Sequence, residues 1–151
     1  MPRQIFFIGG DMINSLHCLI YTSIAKQKMT DNCLKSLLDR ARSRNSALNI
    51  TGMLLYLDPY FVQILEGEVT AVNETFKKIS NDPMHDKVSL ILKKTISERS
   101  FSNWLMGFNK VNDEHRDSFI CLDTFYKSEN FREKPKEIIE LLEMFKYETL
   151  F

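Results

Sequence analysis

Two apolar runs separated by only two residues constrain this chain more than any other feature of it. Ile50 to Leu57 and Tyr60 to Leu65 meet across Asp58-Pro59, and both are short and rich in β-branched, aromatic and Leu side chains. They read as two strands of a hairpin, with Asp-Pro as the turn. In the second run Gln63 shares a face with Phe61 and Leu65, an amide in an apolar stripe.

The flanking segments supply the remaining elements. Residues 18 to 23 alternate as a strand, with Leu19, Tyr21 and Ser23 on one face and Cys18, Ile20 and Thr22 on the other. Both faces carry apolar groups, so both should be covered. Thr30 or Asp31 can cap a helix whose apolar positions Leu34, Leu37, Leu38 and Ala41 follow the i, i+3, i+4, i+7 rule. One further turn brings the stripe to Asn45. A second helix spans roughly Val69 to Ser80, with Val72, Phe76 and Ile79 on its apolar side and Asp82-Pro83 closing it. Strands follow at Val88 to Lys94 and Phe101 to Asn109.

This order predicts an α+β fold, a ferredoxin-like sandwich with a five-stranded mixed sheet and two helices on one face. The other face needs a cover. Phe119, Ile120 and Leu122, then Ile138, Ile139, Leu141, Leu142 and Phe145, provide one as a C-terminal helical pair. Pro135 suits a first helical turn, and Lys136-Glu137 an exposed start. The expected organisation is an N-terminal extension over residues 1–16, a core domain over 17–110 and a helical extension over 111–151, with a weak boundary at Val111 to Glu114.

At 151 residues with 44% hydrophobic and 26% charged side chains, the chain can bury one core. Twenty basic residues balance twenty acidic ones, which lacks the surplus of a nonspecific nucleic-acid binder. The first residues offer only Ile5 to Ile8 as a continuous apolar stretch, too short for a signal core or membrane span. Residues 1 to 11 read as a peripheral extension or a misassigned start. Cys18, Cys33 and Cys121 are odd in number and form no Cys-x-x-Cys, favouring a reducing cytoplasmic location over a disulfide framework or zinc ribbon.

No nucleophile elbow, phosphate-binding glycine motif or His-Glu-x-x-His is present, and His17, His85 and His115 are scattered. Taken singly, the candidate residues have ordinary structural readings. Gln63 could bond backbone at a sheet edge; Tyr21, Trp104 and Met106 could be core, the last two on the same face. Asn45 could cap a helix, Lys78 and Asp82 could form a solvated i,i+4 pair, and His85 could be a loop residue.

Their joint arrangement is more specific. Leu19-Ile-Tyr-Thr-Ser23, Ala41-Arg-Ser-Arg-Asn45, Ile50-Thr-Gly-Met-Leu-Leu-Tyr56, Phe61-Val-Gln-Ile-Leu-Glu-Gly67, the Asp82 to His85 stretch and Trp104-Leu-Met106 occur in one order across residues 17 to 110. By these segments the chain resembles the BLUF family of flavin-using blue-light sensors.

The resemblance implies non-covalent FAD between the two helices, with Tyr21 donating an electron and a proton and Gln63 linking the phenol to the ring. It implies Asn45 at the C4 carbonyl and N3 edge, Lys78 toward the C2 carbonyl with Asp82 beside it, His85 at the same end, and Ser23 among the binding residues. Trp104 and Met106 would relay the change in Gln63 along the last strand. Arg44 stands where relatives commonly have Asn or His, and Met84 replaces the Arg often found before His85.

The expected function is therefore a short, non-enzymatic photoreceptor that signals through a protein partner or its own oligomers, because no stretch after residue 111 has the length of a cyclase or phosphodiesterase module. Exposed aromatics such as Phe125, Tyr126 and Phe131 are candidate contacts. Two other classes compete. A flavin-dependent redox enzyme lacks an evident nicotinamide site and a placed general base. A ferredoxin-like RNA-binding module, suggested by Tyr60-Phe61-Val62, lacks an RNP1 match.

Overall fold

The structure, a computed structural model, describes residues 6–8, 11–13, 15–110 and 135–144. Along the chain run β1 (Phe6–Ile8), β2 (Asp11–Ile13), β3 (Leu16–Ala25), α1 (Asp31–Leu48), β4 (Thr51–Leu57), β5 (Tyr60–Glu68), α2 (Val69–Ser80), β6 (His85–Thr95), β7 (Gly107–Lys110) and α3 (Pro135–Met144). The hairpin forms as expected: β4 and β5 pair antiparallel from Leu57↔Tyr60 to Thr51↔Glu66. The turn contains a cis Asp58–Pro59 bond.

Five strands lie in the order β6-β3-β5-β4-β7. β3 is antiparallel to β5 and β6, whereas β7 joins β4 in parallel, making the sheet mixed. This is the expected ferredoxin-like α+β architecture. Period-two alternation sorts the side chains between two layers. Leu19, Tyr21, Leu54, Tyr56, Phe61 and Leu65 face Leu34 and Leu38 of α1 and Val72 and Ile79 of α2. On the back, Cys18, Ile20, Met53, Leu55, Val62 and Ile64 meet Ile138, Leu141 and Leu142 of α3. The described part of the C-terminal cover is thus one helix; the other member of the expected pair, with Phe119 to Leu122 and Phe131, lies outside the described residues, as does Phe145.

Local chemistry fixes the helix ends. Thr30 Oγ1 accepts the Cys33 N–H at 3.2 Å, and Asp31 sits in the first turn, where the helix dipole favours a negative charge. Asn49, at φ 53, closes α1 in the left-handed region that Asn tolerates better than most residues. The C-cap is therefore Asn49, and Asn45 is a buried residue of the helix body.

One expectation needs correction. The last strand begins at Gly107 and not at Phe101, because the backbone before it is spent elsewhere. Ser100 and Phe101 donate their N–H groups to the Glu66 carboxylate at 2.7 and 2.8 Å, and Trp104 N–H bonds Phe101 O in a turn. Trp104 and Met106 accordingly precede β7, and they pack in opposite layers. At the N-terminus, β1 and β2 pair as an antiparallel ribbon separate from the main sheet, with Ile8 opposite Asp11. Gly9-Gly10, between these strands in the sequence, is a dipeptide favoured in two-residue hairpins.

Candidate functional site

Tyr21 and Gln63 stand opposite each other in the β3–β5 register, on the face covered by α1 and α2. Both are almost fully buried, so each polar end requires a partner. The Tyr21 hydroxyl donates to Gln63 Oε1. Gln63 Nε2 donates onward to Met106 Sδ at 3.2 Å. A buried hydrogen-bonded chain therefore leads from a phenol, through a neutral amide, to the thioether just before β7.

Beside this chain, between α1 and α2, is a cleft of about 120 Å³. Tyr21 and Gln63 line it together with Leu37, Leu54 and Ile79, and its polar groups include Arg40, Arg44, Asp82 and His85. His85 Nδ1 lies 2.8 Å from Ser23 Oγ, and its ring meets Phe61 and Tyr21 edge-on, with centroids 5.2 and 6.3 Å away. Burial pushes the His85 pKa below its ordinary value, while the Asp82 carboxylate opposes that shift. Asp82 itself accepts the Met84 N–H at 2.9 Å, fixing the turn after α2.

The structure thus brings Tyr21, Gln63, Asp82 and His85 to one cleft, with Ser23 behind His85 and Met106 behind Gln63. Asn45 does not line the cleft; it is fully buried on α1 and donates from Nδ2 to Leu105 O at 2.6 Å. Lys78 is exposed on α2, without the ion pair to Asp82 that the four-residue spacing suggests. Trp104 lies on the back of the sheet, with its ring centroid 6.4 Å from that of Phe101. Among the described residues no group of His, Cys, Asp and Glu could hold a metal, and no helix is long and apolar enough to cross a membrane.

Three interactions were not anticipated from the sequence. Arg42 Nε donates to Met106 O at 3.0 Å, so α1 grips the 105–106 backbone through both Arg42 and Asn45. Glu66 anchors the 99–101 turn, and Arg99 binds Thr51 Oγ1 and Asn49 O, each at 2.8 Å. Glu66 could have been suspected, because alternation from Val62 and Ile64 puts its carboxylate on a covered face, where it needs donors. Arg42 gives no comparable signal, since helical Arg is ordinarily exposed.

The cleft suits a planar, amphipathic ring such as a flavin. Its walls include Leu37, Leu54 and Ile79, while Tyr21 and Gln63 offer hydrogen-bonding atoms. Arg44 Nε and Asn45 Oδ1 on α1, Thr75 Oγ1 on α2 and Thr22 Oγ1 on β3 are buried without partners among the described residues.

A family model described as BLUF, sensors of blue-light using FAD, matches residues 16–107. The photoactivated adenylate cyclase subunit beta of Euglena longa is 36% identical over 94 residues, 62% of this chain and 11% of that protein. The alpha subunit from Euglena gracilis is 34% identical over 133 residues, 80% of this chain and 13% of that one. This chain therefore aligns with only a small part of those relatives. Among solved structures, the dark-state BLUF protein BlrB matches with a TM-score of 0.73 and 27% identity, covering 90% of this chain and 98% of that chain. BlsA in its photo-activated state gives 0.68 and 29% identity, covering 84% and 94%. The matched stretch includes the Tyr21–Gln63–Met106 chain, the strands β3 to β6 and the first residue of β7, and the protein belongs to the BLUF family of blue-light sensors.

Proposed function

We propose that this chain is a blue-light photoreceptor that holds FAD non-covalently between α1 and α2 and signals by rearranging the Gln63 hydrogen bonds. The observation that carries this reading is the continuous bond from Tyr21 Oη to Gln63 and on to Met106 Sδ. Asn45, Lys78, Asp82 and His85, with Ser23 behind His85, are the residues that would hold the cofactor. What a bound flavin supplies is blue-light absorption and an excited state that accepts an electron and a proton.

Tyr21 would be the donor, giving one electron from its ring and its phenolic proton and taking both back once the Gln63 bonds have changed, so that the flavin band shifts without bleaching. Gln63 is suited to respond because its amide has donors at one end and acceptors at the other and carries no charge to bury. A half-turn of that amide exchanges Oε1 and Nε2. Tyr21 Oη then accepts from Nε2, and Oε1 faces Met106 Sδ, a thioether with no proton to donate. The Gln63–Met106 bond is lost, leaving the 105–106 backbone to Asn45 and Arg42. Trp104, two residues earlier and packed in the opposite layer, carries the displacement toward the face covered by α3.

The reading is of a sensor whose output passes to a protein partner or a second copy, as a population shift in how β7 and the C-terminal region pack. It assigns no cyclase chemistry to this chain. Replacing Tyr21 with Phe, and separately Gln63 with Leu, should leave flavin bound and abolish the light-induced red shift. Retention of the full shift in either variant would remove that residue from the mechanism. Steady NAD(P)H oxidation in darkness would instead favour a redox enzyme. Size-exclusion and pull-down experiments in dark and light test the output, and an unchanging monomer with no partner would contradict it.

A further inference from the structure

Three consecutive carbonyls just before β7 are each held by a donor from the core. Trp104 O accepts the Gly52 N–H at 3.1 Å, Leu105 O accepts from Asn45 Nδ2 at 2.6 Å, and Met106 O accepts from Arg42 Nε at 3.0 Å. The donors differ in kind: Gly52 N–H is β4 backbone, Asn45 is fully buried in the body of α1, and Arg42 reaches across from a half-buried position on the same helix. Arg42 holds the residue on which the switch ends, because Met106 Sδ accepts from Gln63 Nε2 at 3.2 Å. A methionine side chain is unbranched, turns about three bonds and does little to fix its own position. Its methyl lies over bare backbone, since a Cβ at Gly52 would come within 3.3 Å of Met106 Cε. The place of Sδ is therefore set from the Met106 backbone, where Gly107 next enters the ladder opposite Met53 and Arg42 fixes the carbonyl.

We propose that Arg42 is a positioning residue for the light switch: by holding Met106 O it keeps Sδ within reach of Gln63 Nε2, and so sets how fast the Gln63 amide returns to its starting orientation. The inference rests on the switch reading above and adds what drives the return. Only the starting orientation gives the thioether a donor, so the Gln63–Met106 bond biases the amide toward the dark arrangement. That bias lasts only while Sδ stays in place. One hydrogen bond of ordinary net strength is worth roughly fivefold in an equilibrium constant. Arg42 does not line the cleft, whereas Leu37, Arg40, Ala41 and Arg44 of the same helix do, so its effect is separable from cofactor contact.

The test compares the full-length protein with Arg42→Leu, which suits a helix and removes the donor, and with Arg42→Lys, which keeps a cationic donor. After a blue-light pulse the red-shifted band of Arg42→Leu should return roughly fivefold more slowly than that of the wild type, with FAD affinity unchanged. Arg42→Lys should fall between the two. A second readout needs neither light nor cofactor. In apoprotein labelled at its methionine methyl groups, the Met106 resonance, assigned with Met106→Leu, should move in Arg42→Leu and stay closer to its wild-type position in Arg42→Lys. Circular dichroism and thermal unfolding establish that the variants are folded, and Arg42→Met repeats the kinetic comparison should Arg42→Leu not fold. A wild-type return rate in the folded variant, a slowed return with an unmoved Met106 methyl, or equal slowing in Arg42→Lys would each overturn the positioning role and leave the switch reading intact. A wild-type protein whose flavin band does not shift would overturn both.

Discussion

Glu66 shows how a single side chain can fix a turn against the back of the sheet. It lies three residues beyond Gln63 on β5, is 1% exposed, and accepts the N–H groups of Ser100 and Phe101. Burial raises its pKa, and those donors oppose the rise. Glu66→Ala would orphan two backbone donors and should cost about 3 kcal/mol, whereas Glu66→Gln keeps an acceptor and should cost less than about 1 kcal/mol, as read by urea unfolding. His85 gives the opposite pH dependence. Its folded-state pKa lies below the ordinary 6.5, so the unfolded chain takes up the proton first. The His85 contribution to stability is complete above about pH 6.5 and is lost as pH falls from there to the lower folded value. Unfolding curves measured from pH 7.5 down to 5 should show that decline, and it should flatten in His85→Gln. Tyr21, Gln63 and His85 were legible because a strand face and a set of ordered motifs exposed them. Asn45 was legible as a position but not in its contact, since its bond to Leu105 O joins segments sixty residues apart.

Among the elements, β4 depends on the absence of a side chain at Gly52. A Cβ there would lie 2.0 Å from Ile64 O and 3.3 Å from Met106 Cε, and the first of these neighbours is backbone that cannot rotate away. Gly52 N–H also bonds Trp104 O at 3.1 Å, so the 104–106 segment rests against bare backbone. Gly52→Ala should destabilise the fold by about 3 kcal/mol by forcing the β4–β5 contact apart, measurable as a lowered urea midpoint. The helices and the hairpin were predictable because their periodicity and caps are local. The start of β7 was not. Phe101 to Asn109 has strand composition throughout, but the side chain of Glu66, distant in sequence, takes the N–H groups of Ser100 and Phe101 that a ladder would need.

Across the whole molecule, two apolar layers enclose one sheet, and the layers do different work. The front carries the Tyr21–Gln63 pair; the back is closed by Ile138, Leu141 and Leu142 of α3. Truncating Leu142 to Ala should cost about 3 kcal/mol and expose the back of β4 and β5, detectable as a lower melting temperature and increased binding of a hydrophobic dye. The two-sided cover was legible from strands apolar on both faces, and α3 from its own stripe. Opposite placement of Trp104 and Met106 was not, because the turn before β7 breaks the alternation that would have put them on one face. The photoreceptor reading stands or falls with the absorption spectrum of the purified full chain before, during and after blue light. Bound flavin whose band moves slightly to the red and returns in the dark is the expected result. A chain that holds no flavin, or a band that bleaches instead of shifting, would contradict the hydrogen-bond switch.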